Sequence, residues 1–160
     1  GPIAIRYPRG SAHQGLQEYQ APVEYGRSEI IRKGKKIAVL GVGSMIPSCM
    51  EICKGLKDDG YDPTFVNARF VKPLDVDLLD ELAKDHSLFV TVEENVKSGG
   101  YGEHVSAYME ACHPEIRVLS AAVWDRFVPQ GNVESLRSRI GLGVEDIRQA
   151  IEDSEELREQ

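Results

Sequence analysis

The chain has 160 residues, 41% of them hydrophobic and 28% charged, enough for one domain with a buried core and too apolar for a disordered tail. A formal charge of −7 excludes a protein that grips nucleic acid by neutralising its phosphates. No membrane span is expected, because the longest apolar run, 37–42 with a glycine inside it, falls far short of the roughly twenty residues a bilayer demands.

Taken in order, residues 1–10 hold a strand over 3–7 with no Met ahead of it, which leads us to expect a piece of a longer polypeptide whose preceding unit owns that strand. A polar stretch, 11–22, reads as a linker to a unit over 23–160. Two apolar runs, 23–31 and 36–40, flank Arg32, Lys33, Gly34 and Lys35, a basic turn that predicts an antiparallel hairpin. From Ile37 to Leu40 every residue is apolar, as in a strand covered on both faces. Ser44 is placed to cap a helix over 45–57, with Pro47 tolerated in its first turn and Met45, Cys49, Ile52 and Leu56 on one stripe. A strand over 64–68, a helix over 75–85 opened by Asp75 and a strand over 88–92 follow. The glycine-rich turn 98–102 leads to a helix bearing Val105, Tyr108, Met109 and Cys112, which Pro114 stops. A strand over 116–119 and helices over 133–140 and 144–157 close the series. Residues 143–160 carry seven acids against two arginines and read as a solvated helix. Strands alternating with helices predict a three-layer α/β/α fold, its five-stranded sheet mostly parallel with one antiparallel edge strand.

Candidate chemistry is sparse. Gly41-Val42-Gly43 lies between a buried strand and a helix, where a dinucleotide loop would stand, but Ile46 fills the third small position and no acid ends the next strand near Asn67. Tight turning and close helix packing account for both glycines. Glu93 and Glu94 follow the fourth strand, where ligands of open α/β sheets gather. Neighbours on a strand point to opposite faces and cannot share a proton, so hydrogen bonding to the turn at Gly99 and Gly100 is the expected role. Cys49 and Cys53 share a helical face and read as core; three cysteines, an odd number, fit a reducing, cytoplasmic setting. His13, His86, His104 and His113 show no metal spacing. In Arg6-Tyr7-Pro8-Arg9-Gly10 two arginines bracket a proline at a strand end, and a guanidinium fixed there suits a phosphate or carboxylate. Residue chemistry leaves open which of the two binds an anion and which is a structural ion-pair partner.

Four blocks stand in order over almost the whole chain: residues 1–10, Ala68-Arg69-Phe70-Val71-Lys72-Pro73-Leu74-Asp75, Val90-Thr91-Val92-Glu93-Glu94-Asn95 with Gly99-Gly100-Tyr101-Gly102, and Asp125-Arg126-Phe127-Val128-Pro129-Gln130-Gly131. Together they resemble the 1-deoxy-D-xylulose-5-phosphate synthase family. That resemblance implies a transferase dependent on thiamine diphosphate and Mg2+, which decarboxylates pyruvate and joins the two-carbon fragment to D-glyceraldehyde 3-phosphate, and which works as a homodimer. Residues 1–10 would be the last strand of a pyrimidine-binding domain, 11–22 a linker and 23–160 a transketolase C-terminal-like domain. Cofactor and metal would be held by upstream domains, so no catalytic, cofactor-binding or metal residue is expected here. Arg9 matches the family arginine that grips the phosphate of glyceraldehyde 3-phosphate. Arg6, Arg69, Glu93 and Glu94 are expected to order turns and the domain interface, and the chain alone to be inactive. Two other readings stand beside this one: the C-terminal domain of another transketolase-like enzyme, such as a 2-oxoacid dehydrogenase beta subunit, and a non-catalytic interaction module.

Overall fold

Five strands form one sheet in the order β1-β3-β2-β4-β5, in a computed structural model that describes residues 1–8, 13–19 and 21–154. The strands are β1 (Glu29–Arg32), β2 (Lys36–Gly41), β3 (Thr64–Asn67), β4 (His86–Val96) and β5 (Arg117–Val123). β2, β3, β4 and β5 are mutually parallel, and β1 lies antiparallel on the edge of β3. Helices α1 (Ile46–Asp58), α2 (Val76–Ala83), α3 (Tyr101–Cys112), α4 (Val133–Arg139) and α5 (Val144–Glu152) complete the expected α/β arrangement.

The alternation of side chains along β2 divides the core. Ile37 and Val39 face one way, onto Cys49, Ile52 and Leu56 of α1 and Ile147 and Ile151 of α5. Ala38 and Leu40 face the other, onto Leu79 and Leu82 of α2 and Tyr101, Val105 and Met109 of α3. β4 repeats the scheme, with Leu88, Val90 and Val92 on the first side and Phe89 on the second. Helices therefore cover both faces of the sheet, as the unbroken apolar run of β2 requires.

The predicted hairpin between β1 and β2 is not formed. Both edges of β2 are occupied by parallel partners, so β1 passes beyond it and pairs with β3, Glu29 opposite Asn67 and Ile30 opposite Val66. Gly34 permits the bypass. Its N–H donates to Thr64 Oγ1 at 2.9 Å, the Lys35 N–H donates to the Asp62 carbonyl at 2.6 Å, and a Cβ on residue 34 would stand 2.1 Å from that carbonyl oxygen. Lys36, at φ 66°, then turns the chain into β2.

Other boundaries move for physical reasons. Ser44 caps nothing: residues 43–45 form a 3-10 turn ahead of α1, and the Ser44 hydroxyl is drawn elsewhere. β4 outruns its predicted end and carries Glu93 and Glu94 within the strand. The acidic helix α5 is solvated on one side only, since Ile147 and Ile151 are buried; residues 155–160, the expected end of that helix, lie outside the described residues. Residues 1–8 have no helix or strand assigned and are exposed, and residues 15–18 of the expected linker form a turn closed by Tyr19 N–H donating to the Leu16 carbonyl at 3.0 Å. Among the described residues no helix is long and apolar enough to cross a membrane.

Candidate functional site

Parallel strands deliver their C-terminal ends to one side of the sheet, and the loops there are where an α/β fold gathers ligands. Glu93 and Glu94, near the end of β4, divide as their adjacency requires. Glu93, 2% exposed, accepts the Tyr101 N–H at 3.0 Å and the Gly102 N–H at 2.8 Å. Gly100, at the N-cap of α3, has no side chain to offer, so a carboxylate from the neighbouring strand caps the helix and opposes its dipole. The fit is close: a Cβ on Gly100 would lie 2.6 Å from Glu93 Oε1.

Glu94 turns to the other side and joins three segments. Ser44 donates its hydroxyl to Oε2 at 2.8 Å, Arg137 of α4 donates Nε–H to Oε1 at 3.0 Å, and Arg6 donates to the Glu94 backbone carbonyl at 3.0 Å. Burial pushes the Glu94 carboxyl up, but the hydrogen bonds from Arg137 and Ser44 and the charges of Arg137 and Arg6 outweigh it and hold the group below the ordinary glutamate value. Arg6 thus anchors residues 1–8 to the end of β4. Arg9, the predicted phosphate ligand, lies outside the described residues. Arg69, in a left-handed conformation at φ 52°, pairs with Glu29 and donates to the carbonyls of Ala21 and Pro22, which fixes the end of the linker. Ser44 and Arg137 were missed as members of this cluster. Nothing local marks Arg137, and Ser44 carries the signature of a helix cap instead.

The glycine turn after β2 holds its own helix rather than a ligand. Gly43 adopts φ +52°, and a Cβ on Gly41 would stand 2.8 Å from Cys49 Sγ and 2.9 Å from Ile46 Cδ1. That close approach leaves no cradle for a diphosphate. Cys49 and Cys53 are core residues, and burial pushes the Cys53 thiol up to about 12, so neither offers a thiolate at neutral pH. His86 is buried between Thr64 Oγ1 at 2.7 Å and the Leu82 carbonyl at 2.7 Å. His113 and Tyr108 both bond Asp80 Oδ1, at 2.8 and 2.7 Å, tying α3 to α2. Among the described residues no three His, Cys, Asp or Glu side chains converge on a metal position.

Comparison with known proteins gives this geometry its relatives. A synthase of Lachnoclostridium phytofermentans named "1-deoxy-D-xylulose-5-phosphate synthase" is 41% identical over 92% of this chain and 24% of its own length. A protein of the same name from Chlorobaculum tepidum is 40% identical over 92% of this chain and 23% of its own. The chain therefore spans about a quarter of the curated relatives it matches. A solved structure described as "Split gene transketolase, inactive beta4 tetramer" superposes with a TM-score of 0.79 at 28% identity, over 86% of this chain and 44% of that one. A transketolase from Campylobacter jejuni shares the fold at a TM-score of 0.51 and 16% identity, over 81% of this chain and 19% of its own. The family described as transketolase, C-terminal domain, matches residues 26–147, from ahead of β1 into α5, and the chain belongs to it.

Proposed function

We propose that the chain is the C-terminal part of a 1-deoxy-D-xylulose-5-phosphate synthase, a cytoplasmic homodimer that decarboxylates pyruvate and condenses the two-carbon fragment with D-glyceraldehyde 3-phosphate, releasing CO2. The product would enter isoprenoid, thiamine and pyridoxal synthesis. The observation that carries this reading is the shared name of relatives about 40% identical over nine-tenths of the chain. In this arrangement residues 1–10 end a pyrimidine-binding domain, 11–22 are a linker and 23–160 form the C-terminal module. Thiamine diphosphate supplies the carbanion chemistry when bound, with Mg2+ at its diphosphate. Among the described residues α1 packs onto Gly41 in the turn after β2, Glu93 occupies the N-terminus of α3, and no metal ligands converge, so neither group fits them. In this reading the upstream polypeptide holds both.

What this chain would contribute to the reaction is phosphate recognition by Arg9. A guanidinium–phosphate contact is worth roughly 1.5 to 3 kcal/mol. Realised in the transition state, its loss lowers kcat/KM by about ten to a few hundredfold. In the full-length enzyme, Arg9→Ala is expected to reduce kcat/KM for glyceraldehyde 3-phosphate by that factor while leaving pyruvate affinity in place. Unchanged kinetics with the phosphorylated acceptor remove Arg9 from the site. CO2 release from pyruvate, measured with and without glyceraldehyde 3-phosphate, separates this enzyme from a 2-oxoacid dehydrogenase: acceptor-independent release defeats the proposal.

A further inference from the structure

Arg6 bonds to a firmly held point of the module. Its Nη2 donates to the Glu94 carbonyl at 3.0 Å, 88 positions along the chain, and its charge is among those that hold the Glu94 carboxyl below the ordinary glutamate value. Glu94 is itself gripped from several sides. The Ser44 hydroxyl at 2.8 Å and Arg137 Nε at 3.0 Å take its carboxylate from ahead of α1 and from α4. Its strand runs on to Val96, opposite Val123 of β5, and the Lys97 N–H then donates to the Val123 carbonyl at 2.8 Å. A donor on the backbone of a residue so tied is an attachment point for the segment that supplies it.

That segment is Arg6-Tyr7-Pro8-Arg9-Gly10, in which Arg6 stands three residues ahead of Arg9, the proposed ligand of the substrate phosphate. The two residues between them make stiff chain: a proline fixes its own φ at about −65°, and the residue before a proline is restricted to extended backbone. Three residues of chain span at most about 11 Å. Whatever holds Arg6 therefore limits where the guanidinium of Arg9 can stand. With Nη2 committed to a carbonyl, Arg6 is suited to hold the segment rather than the phosphate.

We propose that Arg6 is a positioning residue for the phosphate subsite: by bonding the Glu94 carbonyl it ties the segment that carries Arg9 to the end of β4, and so gives the C-terminal module a part in selecting a phosphorylated acceptor. The inference rests on Arg9 being the phosphate ligand of the synthase. Steady-state kinetics of the full-length enzyme test it, with D-glyceraldehyde 3-phosphate and with D-glyceraldehyde, which lacks the phosphate, in Arg6→Ala, Arg6→Lys, Arg9→Ala and the Arg6→Ala, Arg9→Ala double variant. Arg6→Ala is expected to raise KM for glyceraldehyde 3-phosphate about tenfold, the fold-change of one charge-assisted hydrogen bond. The saturated kcat, the KM for pyruvate and kcat/KM for D-glyceraldehyde should each stay within about twofold of wild type, and turnover of D-glyceraldehyde doubles as the check on folding. Arg6→Lys keeps the charge and a donor and is expected to recover most of the loss. In the Arg9→Ala background Arg6→Ala is expected to add nothing, because no guanidinium remains to be positioned. A wild-type KM in Arg6→Ala overturns the proposal, as does a loss shared equally by the unphosphorylated acceptor. So does a loss that adds in full to that of Arg9→Ala, for then Arg6 is a phosphate ligand in its own right. An Arg9→Ala enzyme that uses the phosphorylated acceptor normally defeats the assignment of Arg9 and the proposal with it; an impaired Arg9→Ala beside a normal Arg6→Ala removes the positioning role alone.

Discussion

Replacing Glu93 by Gln tests whether a strand carboxylate holds the N-terminus of α3. The substitution keeps the volume of the side chain and removes its charge. One amide oxygen can still accept one of the two N–H groups now bonded at 3.0 and 2.8 Å, but the amide nitrogen then faces the other, donor against donor, in a position 2% exposed. Losing one charge-assisted bond costs roughly 1.5 to 3 kcal/mol. Removing the negative charge from the helix terminus adds about 0.3 to 1 kcal/mol. The expected total is about 3 kcal/mol, which at a urea dependence of roughly 2 kcal/mol per molar displaces the unfolding midpoint downward by about 1.5 M. Circular dichroism through a urea titration at pH 7 reads the shift. A midpoint within about 0.3 M of wild type, on the same roughly 2 kcal/mol per molar dependence, refutes the assignment of Glu93 as the cap of α3.

Further outcomes follow from the neighbouring contacts. Because the Glu94 carboxyl is held below its ordinary value in the folded protein, its stabilising contribution is complete above the unfolded pKa of about 4.3 and is lost as pH falls through the lower folded value. Thermal melts of Glu94→Gln should therefore fall below wild type at pH 7 and converge with it in acid; a gap that persists unchanged to pH 2 contradicts the pairing with Arg137. Gly102→Ala sets a methyl 2.2 Å from Ser120 Oγ and 2.5 Å from Thr91 Oγ1, and the expected overpacking cost of about 1 to 3 kcal/mol exceeds the gain of about 1 kcal/mol from helix propensity, so Tm should drop. A rise in Tm shows that α3 can lift away from the sheet. Thr91→Val replaces a buried hydroxyl that has no hydrogen-bond partner among the described residues, and its Tm should match or exceed that of wild type; a marked fall reveals a hidden acceptor.

The layered fold was legible because alternation along β2 and β4 and the stripe on α1 are local signals that tertiary packing reinforces. The turn at 32–35 is equally local, yet it misdirects: it signals a hairpin without registering that both edges of β2 belong to β3 and β4. Ser44 failed in the same way. Its position announces a cap, while an acceptor fifty residues away takes its hydroxyl. Glu93 could be read in part: a hydrogen-bonding role at the Gly99-Gly100 turn was legible, but its donors are the N–H groups of Tyr101 and Gly102, just beyond it in α3, and Glu94 does not share the role. Arg137 could not, since its partner is 43 residues distant and its own helix gives no hint of a buried face.

The excursion of β1 to the far rim has a consequence for assembly. Four parallel strands and the helices against them form the block, and β1 joins it along the edge of β3 alone. Polypeptide added ahead of β1 therefore needs no new strand between the four parallel ones, and its length leaves their register as it is.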